Sequence, residues 1–345
     1  MKTTLAFLLI LLAPLTPVVA GGSAERTQLL DTIFAHLEQH VANPAWLEDE
    51  SFARLKDRVY SDKALRMSDD AFLSYFNQQA EDLPFTHFYL RKNKAPKKDG
   101  DTAEKKSPLE PLMWKELNAR TAYLKIETFS SDASAMTRAI AEIGTDTYDN
   151  LIIDLRGNQG GSLDAPVVLG GFLTNDPIDV GVFMTRKWYE HKAHQPTPEE
   201  VAQLPYLTDF TYAGIGKMFD EEAAFRLVIP GHDKPVFTGN VYVLQDGHTA
   251  SANEPLLDVF KQEGIATLVG SHSSGAMLSA YFFPINDDYR VFIPTADYQT
   301  AYGRRIDKEG VAPDVETDPA QALDHVLQVL IHSNYREISD SVSGG

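Results

Sequence analysis

The 345-residue chain contains no cysteine. That absence excludes disulfides, thiolate metal sites, a cysteine nucleophile and a lipid-modified cysteine. Stability must therefore rest on a hydrophobic core. Basic charge is also scarce: 31 lysines and arginines face 49 acidic side chains, a formal net charge of −18. An excess of that sign repels polyanions, so nucleic acid is not an expected partner. After residue 20 no apolar run approaches the ~20 residues that a membrane span needs, and no stable membrane insertion is expected. What remains is ordinary for a globular protein, 43% hydrophobic and 23% charged.

The first twenty residues read differently. Lys2 supplies a positive start, Leu5 to Leu12 is uncharged and apolar, Pro14 and Pro17 break the run, and Val18-Val19-Ala20 ends it with small residues. This is the pattern of a signal peptide cut after Ala20. An exported chain without disulfides suits a bacterial envelope, in the periplasm or the medium. The sequence fixes no oligomeric state.

Residues 21–90 have helical periodicity: Leu29, Leu30, Ile33, Phe34 and Leu37 recur at three- and four-residue spacing, and Phe52, Leu55 and Val59 do the same. A third helix is expected from Ser68, with Phe72, Leu73, Phe76 and Ala80 on one face. Residues 91–108 are Lys-rich and aperiodic, the character of an exposed connector. From residue 109 strands and helices alternate. Ala122–Ile126, Leu151–Ile153, Val241–Leu244, Ala266–Val269 and Arg290–Pro294 read as strands. Ala133–Ile143, Asp164–Leu173, Asn253–Phe260 and Ala320–Ile331 read as helices. Alternation of this kind predicts an α/β core, residues 109–345, with a largely parallel sheet, preceded by a small helical subdomain. Residues 177–236 break the alternation and read as an insertion or flap.

Three segments carry chemistry. Asp154-Leu155-Arg156-Gly157-Asn158-Gln159-Gly160-Gly161 follows an apolar strand and leads into a helix. Backbone N–H groups in such a turn can hold an anion or an oxyanion, although Gly-rich turns are common and on local features a plain strand–helix turn with Asp154 and Arg156 paired is the better reading. Asp246 to Glu254 places Ser251 at a helix start, where it is either a cap or a nucleophile favoured by the helix dipole. Asp307 to Asp314 is an acidic turn whose carboxylates could orient an imidazole or simply be solvated.

Together these segments resemble the tail-specific (C-terminal processing) protease family and its tricorn branch. The resemblance rests on Leu151–Gly161, Thr249-Ala250-Ser251-Ala252-Asn253-Glu254, the ATLVGSHSSG run of Ala266–Gly275, and Gly310-Val311-Ala312-Pro313-Asp314. It implies a crotonase-like α/β core and hydrolysis of peptide bonds through Ser251. Many members pair the serine with a lysine, but the matching position here is Ala276. The tricorn branch instead uses a histidine, and Leu83-Pro84-Phe85-Thr86-His87-Phe88 resembles that segment. By resemblance Thr86 and His87 match a hydroxyl–histidine pair, Asp307 matches the acidic residue, and the N–H groups of Ala252 and of Gly160 or Gly161 form the oxyanion hole.

The expectation is an exported serine peptidase acting on a peptide or protein substrate, with His87 as base to Ser251 and no metal or organic cofactor. His248 and His272 flank Ser251 and compete as base. His191 and His194 have H-x-x-H spacing without a third ligand, so they read as surface residues rather than a zinc site. The rival expectation is a catalytically inactive binding module of the same fold for an apolar ligand or peptide.

Overall fold

The computed structural model describes residues 21–93, 111–130 and 133–331. The expected signal peptide and most of the expected connector lie outside the described residues. The first segment is helical: α1 (Gly21–His40), α2 (Glu50–Val59), α3 (Asp62–Leu65) and α4 (Asp69–Ala80). Leu29, Leu30, Ile33, Phe34 and Leu37 of α1 are all buried, as their spacing requires. The Asp49 carboxylate accepts the Ser51 N–H at 2.8 Å and starts α2. Ser68 occupies the N-cap of α4 in extended conformation, but its hydroxyl makes no capping bond. Asp69 and Asp70 in the first turn complement the helix dipole instead.

The chain then runs through β1 (Tyr89–Lys92), β2 (Leu112–Asn118), β3 (Thr121–Ile126), α5 (Ser134–Ile143), β4 (Asn150–Asp154) and α6 (Asp164–Leu173). It continues with β5 (Ile178–Thr185), α7 (Arg186–His191), α8 (Pro198–Val201), α9 (Tyr212–Glu221) and β6 (Ala224–Ile229). The last part holds β7 (Asn240–Gln245), α10 (Asn253–Gln262), β8 (Thr267–Gly270), β9 (Ser279–Pro284), β10 (Tyr289–Thr300), β11 (Val315–Glu316) and α11 (Ala322–His325).

The fold is mixed α/β with two sheets. The six-stranded sheet has the order β11-β8-β7-β4-β3-β2 and is parallel except for the β2–β3 pair at its edge. Its central strand β4, Asn-Leu-Ile-Ile-Asp, is buried at every position, the pattern of a strand covered on both faces. The second sheet, β1-β10-β5-β6 with β9 also paired to β10, is antiparallel throughout. The 177–236 stretch supplies β5 and β6 to this second sheet and carries α7, α8 and α9 between them.

Leu278, Tyr289, Val291 and Ile293 of the antiparallel sheet and its approach share one buried cluster with Leu30, Phe72, Phe76 and Phe85. The helices and the second sheet thus have a common core. A larger cluster lies between the two sheets and includes Leu124, Ile153, Val243, Phe225 and Tyr298. No described helix is long and apolar enough to cross a membrane.

Candidate active site

Parallel pairing brings the site together. β4 and β7 are in register from Asn150 against Asn240 to Asp154 against Leu244. Their following loops therefore leave the same carboxyl edge side by side, the usual place for a site in such a sheet. Cross-links hold the loops. Leu155 N–H donates to the Leu244 carbonyl at 2.9 Å, and Ala250 N–H to the Asn158 carbonyl at 3.0 Å. Thr249 Oγ1 donates to the Leu155 carbonyl at 3.0 Å, and Asn253 Nδ2 to the Asn158 carbonyl at 2.9 Å. Asn158, fully buried, reaches on to the Ile126 carbonyl at 3.1 Å. The third loop, after β8, joins through Ser274 N–H to the Thr249 carbonyl at 2.9 Å.

Ser251 stands just before α10, whose N-cap residue is Ala252. Its backbone is left-handed, with φ 57°. The Ser251 N–H donates to Glu254 Oε2 at 3.0 Å, while the Glu254 N–H takes the Ser251 carbonyl at 2.8 Å. The helix is thus capped by Glu254 and by backbone, and the Ser251 hydroxyl has no hydrogen-bond partner among the described residues. The bland alternative, a serine spent on capping, does not hold here.

Glu254 is fully buried and accepts four bonds: Ser251 N–H, Ser273 Oγ at 2.6 Å, Gly275 N–H at 2.7 Å and Ala276 N–H at 2.9 Å. Burial pushes its carboxyl up and these four donors oppose the shift. Ala276 is therefore tied to Ser251 through Glu254. Lys308 turns its ammonium away to the Glu81 carbonyl at 2.9 Å.

Gly160 packs directly on the Ser251 loop. A Cβ at this position would lie 2.7 Å from Ser251 Cβ and 3.0 Å from the Ala252 nitrogen, and its φ is +92°. Its N–H is already given to Asn158 Oδ1 at 2.8 Å. The N–H groups of Gly161 and Ala252 have no acceptor among the described residues. Of the three expected oxyanion donors, Gly160 is thus engaged and the other two are open. Asp154 pairs with Arg156, and also accepts the Tyr123 hydroxyl at 2.6 Å.

Thr86, His87 and Asp307 form a second constellation across 221 residues of sequence. Thr86 N–H donates to Asp307 Oδ2 at 3.0 Å, and Thr86 Oγ1 donates to Asp307 Oδ1. The same hydroxyl is 2.6 Å from His87 Nδ1. Asp307 thus reaches His87 through a bridge, the Thr86 hydroxyl. A hydroxyl has one hydrogen, so a Thr86 that donates to Asp307 must accept from Nδ1–H. That fixes the tautomer and leaves the Nε2 lone pair free. His87 is half-buried, and burial pushes its imidazole down to about 4, so it is neutral at pH 7. Burial pushes the Asp307 carboxyl up, opposed by the Thr86 hydroxyl and by Arg305, whose Nη2 is 3.3 Å away.

The two constellations are linked through Asp307's neighbour: Lys308 N–H donates to the Gly275 carbonyl at 2.7 Å, and Gly275 shares Glu254 with Ser251. No hydrogen bond joins His87 to Ser251. Backbone strain marks the same places. Among the described residues, the non-glycine positions with positive φ are His87 (63°), Ser251 (57°) and Lys308 (71°), beside Asp307. Left-handed backbone costs roughly 1–3 kcal/mol at such residues and clusters at functional sites.

Neither competing histidine near Ser251 in sequence has a hydrogen bond to it. His248 is exposed and lies 4.0 Å from Asp246, and His272 is exposed. His191 ends α7, and the His194 ring meets the Gln195 carbonyl at 2.7 Å. Among the described residues no group of three or more His, Asp or Glu side chains is arranged to hold a metal. Glu254 and Asn158 lie within the sequence motifs, but no catalytic pattern there assigns them a role. The Ser-x-x-Glu spacing of a capping box was the signal available for Glu254.

Residues 120–317, more than half of the chain, match the family model described as Peptidase family S41, and the chain belongs to that family. It is similar to the chloroplastic C-terminal processing peptidase of Tetradesmus obliquus, with 27% identity over 198 residues, 57% of this chain and 35% of that protein. It is likewise similar to the carboxyl-terminal-processing protease of Synechocystis, 28% identical over 193 residues, 56% of this chain and 36% of that protein. The match thus spans about a third of these relatives' length. The fold is shared with a lipoprotein from Streptococcus agalactiae (TM-score 0.54, 15% identity, 95% of this chain and 100% of that one). It is shared too with a candidate peptidase from Parabacteroides merdae (TM-score 0.57, 12% identity, 85% and 90%).

Proposed function

We propose that the chain is an exported serine peptidase that hydrolyses peptide bonds through an acyl-enzyme on Ser251. The observation that carries this reading is a serine hydroxyl without a partner among the described residues on a strained helix start, in a chain that also holds a neutral histidine tied by Thr86 to Asp307.

In this reading Ser251 Oγ attacks the substrate carbonyl while His87 Nε2 takes its proton, and the oxyanion forms against the Gly161 and Ala252 N–H groups. The imidazolium is stabilised through Thr86 by the Asp307 carboxylate, then returns its proton to the leaving amine. Water, deprotonated by the same histidine, releases the acyl group. The His87–Ser251 bond has to close when substrate binds, as catalytic hydrogen bonds often do. Export rests on the pattern of residues 1–20.

Labelling with a fluorophosphonate tests the reading. Ser251 should be modified in the folded protein, and His87→Ala should slow modification by at least ~100-fold, in line with general-base contributions. A folded protein whose Ser251 resists the reagent would return the chain to the class of binding modules.

A further inference from the structure

Beside Ser251 lies a pocket of about 160 Å³. The nucleophile and both open N–H residues, Gly161 and Ala252, stand in its wall. Its remaining wall is mostly apolar: Leu163, Phe183, Met277 and Leu278 from the buried core, and Ile215 and Phe219 from α9. No charged side chain lines it. Resting on the peptidase reading, we propose that this pocket receives the side chain on the acyl side of the cleaved bond. We further propose that α9 makes the site select one medium-sized apolar residue there.

Size and chemistry carry the assignment. A cavity of about 150 Å³ lined by aliphatic and aromatic groups accepts benzene, whereas pockets for whole small ligands run to roughly 300–1,000 Å³. A space of 160 Å³ therefore suits one side chain such as Leu, Met or Phe. It is smaller than the pockets that hold whole drug-sized ligands. Without a charged or paired group in the wall, a Lys, Arg, Asp or Glu side chain would be desolvated with nothing to compensate.

The position of α9 gives the pocket its limit. Ile215 and Phe219 are four residues apart and share one face of the helix, one turn above the other. Phe219 is fixed against Phe183 (ring centroids 5.5 Å, edge-on) and Phe225 (5.2 Å), which makes it the floor. The Thr211 hydroxyl caps the helix at Gly214 N–H, 3.2 Å, and itself donates to Asp209 at 2.7 Å. Gly214 sits so close to Asp209 that an added Cβ would lie 2.2 Å from the Asp209 carbonyl oxygen. The wall is thus a pinned helix. Tyr212 and Tyr281, both exposed, flank the mouth.

The test uses peptidyl diphenyl phosphonates, which phosphonylate a serine nucleophile and carry a chosen side chain at the position in question. Rates on the full chain are normalised to those of a small alkyl fluorophosphonate lacking that side chain. Leu, Met and Phe reagents should react at least ~100-fold faster than Ala, since each methylene in such a pocket is worth ~10-fold or more. Lys and Glu reagents should fall below Ala. Ile215→Phe narrows the pocket at a half-buried position and should lower the Leu-to-Ala rate ratio at least ~10-fold. Phe219→Ala deepens it and should bring a Trp reagent up to the level of Phe.

Equal rates for all reagents, a preference for charged side chains, or a ratio unmoved by Ile215→Phe would overturn the pocket assignment and leave the nucleophile standing. Failure of the small fluorophosphonate to modify Ser251 would instead remove the peptidase reading, and this inference with it.

Discussion

At the residue scale, the bridge through Thr86 is the arrangement most open to test. Thr86→Val keeps the side-chain volume and removes the hydroxyl that joins Asp307 to His87. In the peptidase reading kcat should fall at least ~10-fold with little change in KM, because an orienting group acts on the reaction rather than on ground-state binding. Steady-state kinetics on a peptide cleaved by the wild type checks this.

His87 also predicts a pH dependence. Its folded-state pKa of about 4 lies below the ordinary value of 6.5. The base therefore stays deprotonated, and kcat/KM should hold its plateau from pH 7 down to about 5, with the acid limb near 4. The stability sign follows from proton binding. Between 6.5 and about 4 the unfolded chain binds the proton and the folded chain does not, so stability contributed by neutral His87 is lost as pH falls through that window. Urea midpoints of wild type and His87→Gln should converge on acidification.

At the element scale, the loop after β4 and the start of α10 are fitted to each other with no spare room. Gly160→Ala places a methyl 2.7 Å from Ser251 Cβ on a backbone at φ +92° that alanine resists. The nucleophile loop must move, and fluorophosphonate labelling of Ser251 should drop at least ~100-fold, since catalysis is sensitive to displacements of about 1 Å. Glu254→Ala leaves the Ser251, Gly275 and Ala276 N–H groups without their acceptor. Unsatisfied buried donors cost about 1–3 kcal/mol each, so a loss of roughly 3 kcal/mol or more in chemical denaturation is expected, together with loss of labelling.

At the scale of the whole molecule, the proposed base and nucleophile arrive on different cores. His87 lies two residues after Phe85, which is packed with Phe76 in the helix-and-antiparallel-sheet cluster, and Ser251 lies in the loop that follows β7 of the parallel sheet. Arg305 stitches the two, donating to the Pro84 carbonyl at 2.9 Å, approaching Asp307 and lying 4.8 Å over the Trp46 ring. Phe76→Ala should cost about 3–5 kcal/mol. Because that cluster includes Val291 and Ile293, the loss should appear as one unfolding transition for helices and sheet together. Calorimetry would reveal a separate low-temperature transition if the helices melted alone.

Local patterns were enough for the α/β alternation, the buried strands at Leu151–Ile153 and Val241–Leu244, and the spacing of α1. Each depends on periodicities and turn residues that the chain carries in itself. The second sheet was hidden in sequence. Its strands β1, β5 and β6 pair across long separations, and their side chains answer to partners that no local window contains.

The candidate site divides in the same way. The sequence by itself determined which groups are available: a serine before a helix, open glycine turns, a histidine beside a threonine, and no lysine at Ala276. Only the tertiary structure decided which of them meet. It spent the Gly160 N–H on Asn158, placed Thr86 between Asp307 and His87, gave the capping duty to Glu254 and so released the Ser251 hydroxyl. The Gly160–Asn158 and Ser251–Glu254 bonds are local, but the Thr86–Asp307 bonds close across 221 residues, and that partner is set by tertiary packing rather than by neighbours in the chain.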